Sequence, residues 1–445
     1  MNQLNIHEIG EIIRKIRKER GFRLEDLADV NISPATISNI ERGVAHVKQD
    51  KLIYLLEKLD ISMDMLPQIL QREQQEQKDL KFRLTAAESL ERMGQSEQAL
   101  VLLNDMELAD NHLYAPTWHW LRGGCYLFLR KLQKAERELS TAVRLSSQNQ
   151  PTKTDNIEAY SFSDLSLVSY YQNDLQQAIY YVERGLEAYT PEGGRKVVKY
   201  LLLRNKAIYL ERLGRIVEAL TVVQDVWNEL AQIEQEETVL TFYWLRAELL
   251  RKSGSLEEAI QYAQEGIDRA GLNYDYKMTF DLWSVLGSIY TTQQDWEKAE
   301  TCFNIAMGIP KKLVSENRFI RNLIHLGRLY MEQKKWDQAE QQLTLSIREA
   351  EKSDSAAYLT DALLAAGKLY YLQGETEKAI PHYRRAAEIA QRRRYKEKEY
   401  QAWYHLAKCW RENNEQEFRH CTENMYRVQD ERYKEKEAGD FHEGW

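Results

Sequence analysis

Cysteine is scarce in this chain. The four cysteines among 445 residues, Cys125, Cys302, Cys409 and Cys421, form no Cys-x-x-Cys pair and no Cys/His cluster with zinc spacing. Reduced, structural thiols in a cytoplasmic setting are expected, with no metal and no cofactor. Breakers are scarce too: 7 prolines and 20 glycines over this length favour long helices. No apolar run reaches the roughly 18 residues that a membrane span needs. The opening stretch MNQLNIHEIGEIIRKIRKERG is charged and amphipathic, without the apolar core and small-residue cleavage site of a secretory signal. The sequence also lacks G-x-x-x-x-G-K-[ST], G-x-S-x-G and H-E-x-x-H, and Gly193-Gly194 reads as a loop, so no enzyme is expected. Net basic charge is missing as well. At −8 the chain is no general nucleic-acid coat, and any DNA contact must be local.

What is present is 43% hydrophobic and 29% charged residues, a balance suited to a highly charged helical protein. The length exceeds what one core organises, so two units or an elongated array is expected.

Residues 1–66 read as five short helices. Ile9, Ile12, Ile13 and Ile16 make one apolar stripe, and Gly21 stops that helix. Leu24, Leu27 and Ala28 mark a second helix and Asn31-Ile32 a turn. Ser33 then suits an N-cap and Pro34 a first helical turn, opening a third helix that ends at Gly43. Lys51–Leu59 and Met63–Leu70 supply the last two. The segments IGEIIRKIRKERG, LEDLA and ISPATISNIERG resemble Xre/Cro-type helix-turn-helix domains. That resemblance implies a third helix in the major groove of a double-stranded DNA operator. Pro34, Ala35, Thr36 and Asn39 would then reach base edges, because Asn pairs with adenine and Ala or the Thr methyl touches the thymine methyl. Ser38, Arg42, Lys48, Arg14 and Arg17 would meet phosphates. The segment holds ten Lys and Arg against eleven Asp and Glu, so one domain alone should bind weakly and a homodimer is expected.

Residues 67–78, rich in Gln and Glu, read as a helical linker. A 40-residue period fills residues 79–425. Small residues recur at Ala207, Ala247, Gly287, Gly327, Gly367 and Ala407, and again at Ala219, Ala259, Ala299, Ala339 and Ala379. Gly214, Gly254 and Gly374, with Gln294 and Lys334 in the same register, mark turns where positive φ is needed. A large residue three after the first small one, as in Tyr290, Tyr330 and Tyr370, is expected to fill the gap between helices. Each unit is a helix–turn–helix pair, here called helices A and B, with eight units and a degenerate ninth. LLAAGKLYYLQGETEKAIPHYRRAAEIA and WSVLGSIYTTQQDWEKAETCFNIAM resemble tetratricopeptide repeats. The fold expected is all-α, with the N-terminal domain followed by a right-handed superhelical solenoid and a charged tail over 426–445.

Such repeats expose a concave face lined by helix A. The repeat register places Trp120, Tyr160, Asp164, Arg204, Asn205, Trp244, Glu248, Arg251, Asp281, Ser284, His325, Arg328, Lys368, Tyr371, Tyr404, Lys408 and Arg411 there. Asn can hold peptide main chain, and Arg or Lys a carboxylate. The whole architecture resembles the peptide-responsive regulators of the Rap/Rgg/NprR/PlcR/PrgX group, most closely the NprR-type branch. The resemblance implies a transcriptional regulator, active in quorum sensing and sporulation, whose array binds a short signalling peptide and changes conformation or oligomeric state. It also implies Asn205 as the foremost main-chain contact, a dimer surface in the C-terminal repeats and a response regulator as a further partner. The rival expectation is a repeat scaffold that sequesters such a protein partner, with the N-terminal domain secondary.

Overall fold

The computed structural model describes residues 6–44, 48–148 and 155–440. All regular elements among them are helices. The chain divides into two compact units, Met1–Leu108 and Ala109–Trp445.

The first unit contains α1 (Ile6–Glu19), α2 (Leu24–Leu27), α3 (Pro34–Glu41), α4 (Gln49–Lys58), α5 (Leu66–Arg92) and α6 (Ser96–Asn104). The isoleucine stripe of α1 is buried with Ile37 and Ile40 of α3 and with Leu55, Leu56 and Leu59. Gly10 makes this possible, since a Cβ there would lie 2.3 Å from the Ile40 carbonyl oxygen. The Ser33 hydroxyl accepts the Thr36 N–H at 3.2 Å and starts α3. The preceding turn is organised by Asp29, whose carboxylate accepts the N–H groups of Asn31 (2.7 Å) and Ile32 (3.1 Å). The Tyr54 hydroxyl (2.5 Å) and Lys58 ammonium (2.5 Å) meet the same carboxylate. Lys58 first, then Tyr54, hold its pKa far below the usual carboxylate range. The fifth short helix, the linker and the first repeat helix expected from the sequence are one uninterrupted helix, α5.

The second unit is a series of A/B hairpins: α7 (Ala115–Phe128) with α8 (Leu132–Gln148), α9 (Ile157–Tyr171) with α10 (Leu175–Ala188), and α11 (Val198–Arg212) with α12 (Ile216–Trp227). There follow α13 (Glu236–Ser253) with α14 (Leu256–Leu272), α15 (Tyr276–Thr292) with α16 (Trp296–Gly308), and α17 (Glu316–Glu332) with α18 (Trp336–Lys352). The series ends with α19 (Ala356–Leu372) and α20 (Thr376–Arg392), then α21 (Lys396–Trp410) and α22 (Glu415–Asp440). Each A helix packs on its own B helix and on the next A helix, whereas neighbouring B helices make no comparable contact. The A helices therefore form the inner side of the array.

A small residue on A and a large one on B interlock sixteen residues apart. An added Cβ on Gly123, Gly327 or Gly367 would come within 2.6 Å of Leu139, Leu343 or Tyr383, and one on Gly287 within 2.8 Å of Phe303. These B-helix residues fill the space next to the small residue. Of the tyrosines expected between helices, Tyr330 is buried in the core and Tyr290 and Tyr370 pack against it, while the hydroxyls of Tyr330 and Tyr370 donate to Glu300 (3.0 Å) and Glu340 (2.7 Å). Gln294 and Lys334 adopt φ of +63° and +58°, as Gly214, Gly254 and Gly374 do in the same register.

Two distant turns of this unit touch. Asn173 donates its Nδ2–H to the Arg394 carbonyl at 2.7 Å. Beside it the Arg130 guanidinium lies 3.6 Å from the Tyr171 ring centre. The charged tail expected from 426 is the continuation of α22, with Val428 buried and Arg427 bonded to Glu399. Residues 441–445 lie outside the described residues.

Gly10→Ala should cost the first unit about 2–3 kcal/mol through backbone overpacking, read as a loss of its urea-unfolding stability. For Lys334→Gly, relief of about 1–2 kcal/mol of left-handed strain outweighs about 0.5–1 kcal/mol of added unfolded-chain freedom. A small rise in the array's melting temperature is the expected result.

Candidate functional site

Two surfaces carry the candidate residues. On the first unit, capping by Ser33 leaves the start of α3 open. Pro34, Ala35 and Arg42 are exposed, and Thr36, Ser38 and Asn39 half-buried. Arg42 donates through Nη2 to Asn39 Oδ1 (2.5 Å) and through Nε to the Ser38 carbonyl (3.3 Å), so guanidinium and amide share one patch. Arg14 and Lys48 are exposed.

Arg17 is a correction. Expected at a phosphate, it is 8% exposed. Its Nε and Nη2 donate to the Glu41 carboxylate (2.5 and 3.1 Å) and its Nη1 to the Phe22 carbonyl (2.7 Å). A guanidinium so buried and paired ties α1 to the end of α3. Sequence reasoning missed this pair because its members stand 24 residues apart.

On the second unit, the register separates inner-face residues into those that face outward from the packed A helices and those beneath. Trp120, Tyr160, Asn205, Asp281 and Ser284 are buried, each among partners within the array. Asn205 accepts through Oδ1 from Arg204 Nε (3.2 Å) and Nη2 (3.0 Å), and its own Nδ2 lies 3.4 Å from the Ser166 hydroxyl. Asn205 thereby orients the Arg204 guanidinium. Asp281 accepts from Arg318 (2.6 Å) and Arg321 (2.5 Å). Ser284 donates to the Phe280 carbonyl (2.7 Å), as a helix serine does, and lies 3.0 Å from Asn322 Oδ1. Trp120 donates to Asp164 at 2.8 Å and packs on Tyr160.

Arg204, Trp244, Glu248, Arg251, His325 and Tyr371 are half-buried, and Arg328, Lys368, Tyr404, Lys408 and Arg411 exposed. Glu248 and Arg251 form a bidentate pair (2.7 and 2.9 Å). His325 stacks on Phe303 with ring centres 5.7 Å apart. Burial, then the neighbouring Arg328, Arg321 and Arg251, hold its imidazole well below the ordinary value, so it is neutral at pH 7. The guanidinium of Arg321 approaches the Trp244 ring at 6.0 Å. Arg321 was missed in the sequence although it stands 40 residues after Asp281, in the register already in use. The surface is thus rich in cations, with aromatic faces among them. It has the donors to hold carboxylates and the rings to hold apolar side chains.

A helix-turn-helix family profile matches residues 13–66, and a tetratricopeptide-repeat profile matches residues 319–392. This chain joins a helix-turn-helix domain to a tetratricopeptide-repeat array. Among solved structures it is similar to a Rap protein complexed with Competence and Sporulation Factor, at TM-score 0.57 and 15% identity, over 80% of this chain and 98% of that one. The apo form of RapI gives TM-score 0.52 and 14% identity over 80% and 98%. The Rap conjugation gene regulator of plasmid pLS20, in complex with the Phr* peptide, gives 0.50 and 12% over 78% and 95%. These likenesses establish a shared fold. No curated protein matches the sequence. No described helix is long and apolar enough to cross a membrane.

Glu41→Ala leaves the Arg17 guanidinium buried without its counter-charge and should cost about 3–5 kcal/mol. Replacing both partners by Met and Leu should recover most of that loss in urea unfolding of the full chain.

Proposed function

We propose that the chain is a DNA-binding transcriptional regulator whose repeat array senses a short signalling peptide and changes conformation or oligomeric state in response. One observation carries the reading. A capped helix whose first turns are left open for a DNA groove occurs in the same chain as an array whose inner side presents cations and aromatic rings. Pro34, Ala35, Thr36 and Asn39 supply the base-reading chemistry, with Arg14, Arg42 and Lys48 toward phosphate. The near-neutral domain gains enough phosphate contacts only when two copies bind together, so a homodimer on paired half-sites belongs to the proposal. The Rap proteins crystallised with Competence and Sporulation Factor and with the Phr* peptide share the array fold, which supports a peptide as the ligand class. Coupling requires only that the peptide bind one array shape better than another.

The test is footprinting of the full chain on DNA recovered by selection from a random pool, with and without short peptides. Sequence-specific protection that a peptide alters supports the proposal. Asn39→Ala should weaken binding about tenfold to a hundredfold, for one lost bidentate contact. Protection absent under every condition would refute the DNA-binding half.

A further inference from the structure

The inner side of the array is not uniform along its length. At one register position of helix A the last three A/B hairpins carry Arg328, Lys368 and Lys408, 40 residues apart, and all three are exposed. The same position in the three preceding repeats carries Ile208, Glu248 and Ser288. A ladder of cations therefore begins at α17 and runs through α19 to α21. It is poorly neutralised. Arg328 makes no hydrogen bond or ion pair with any described residue. The nearest carboxylate to Lys368 is Glu332 at 3.8 Å. Lys408 rests over two rings, Tyr371 at 5.4 Å and Tyr404 at 5.6 Å, instead of over an acid. On the preceding A helix, Asp281 is already shared between Arg318 and Arg321.

This ladder stands in a chain of net charge −8. An acidic ligand is repelled by most of the surface and attracted here, so the ladder discriminates as well as binds. Spacing narrows the ligand further. Packed helix axes lie about 8–10 Å apart, and a peptide extended as polyproline II advances about 3.1 Å per residue with three residues per turn, so that every third side chain returns to the same face. Successive rungs then meet every third residue.

We propose that α17, α19 and α21 bind an extended acidic peptide whose carboxylates recur at every third residue, one to each of Arg328, Lys368 and Lys408. The inference rests on the peptide-sensing reading and adds the charge pattern of the peptide. Tyr371 and Tyr404 form the shelf beside the last rung.

The test is fluorescence anisotropy of the full chain with labelled nine-residue peptides of Ala and Ser. One carries Glu at positions 1, 4 and 7, one carries three consecutive Glu, and one carries Lys at positions 1, 4 and 7. The spaced acidic peptide should bind at least tenfold more tightly than the clustered one and lose affinity steeply with salt. Arg328→Glu should weaken it at least tenfold, as should Lys368→Glu. Both positions are exposed, and an unchanged melting curve confirms that the fold is kept. Equal binding of the spaced and clustered peptides, or no effect of Arg328→Glu, would overturn the ladder while leaving peptide sensing intact. Binding of none of the three would overturn the ladder too. Failure of the broader reading shows separately, as no response to any peptide in the footprinting assay.

Discussion

The array leans on one steric constraint, seen at Gly123 and, 40 residues apart, at Gly287, Gly327 and Gly367: helix A gives up its side chain where helix B presents a large one. Gly327 against Leu343 and Gly367 against Tyr383 are so close that not even a methyl group fits between them without movement. Interlocking of this kind fixes the height and rotation of each hairpin, because a packed interior tolerates little change in volume. The inner face inherits its regularity from that lock. Side chains one register apart fall into rows only because the helices beneath them are held at constant depth.

The first unit solves a similar problem with backbone. Gly10 lets α1 lie directly on the carbonyl groups at the end of α3, and the Arg17–Glu41 pair closes the same contact with charge. The polar work of the domain is thereby divided. Asp29 gathers two backbone N–H groups, a phenol and an ammonium to shape the turn before α3. What remains outside is the patch in which Arg42 donates to Asn39 and to the Ser38 carbonyl.

The repeat period and the helical class were legible because they are local. Glycine at Gly214, Gly254 and Gly374 announced a left-handed turn, and Gln294 and Lys334 in the same register adopt it without glycine. Which inner-face residues are open was only partly legible. Neighbouring helix positions differ by about 100°, so Arg204 stands half-open while Asn205, one residue on, is buried. The 40-residue count locates a row but not its tilt. Arg17 looked like its solvent-facing neighbours Arg14 and Lys18, and only the approach of Glu41 removed it from them. The row of Arg328, Lys368 and Lys408 was visible as separate residues. Its meaning as a row needed the missing acidic partners, which are a tertiary fact.

Stacked hairpins ordinarily behave as a one-dimensional chain in which each repeat knows only its neighbours, and the ends fray independently. The Asn173–Arg394 hydrogen bond changes that statistics. It joins positions 221 residues apart, turning a line with two free ends into something nearer a loop. Loosening of α9 and α10 is then felt at α20 and α21 without passing through every hairpin between them. Local openings become correlated across the array, and the free energy of distorting it is shared instead of confined to one repeat.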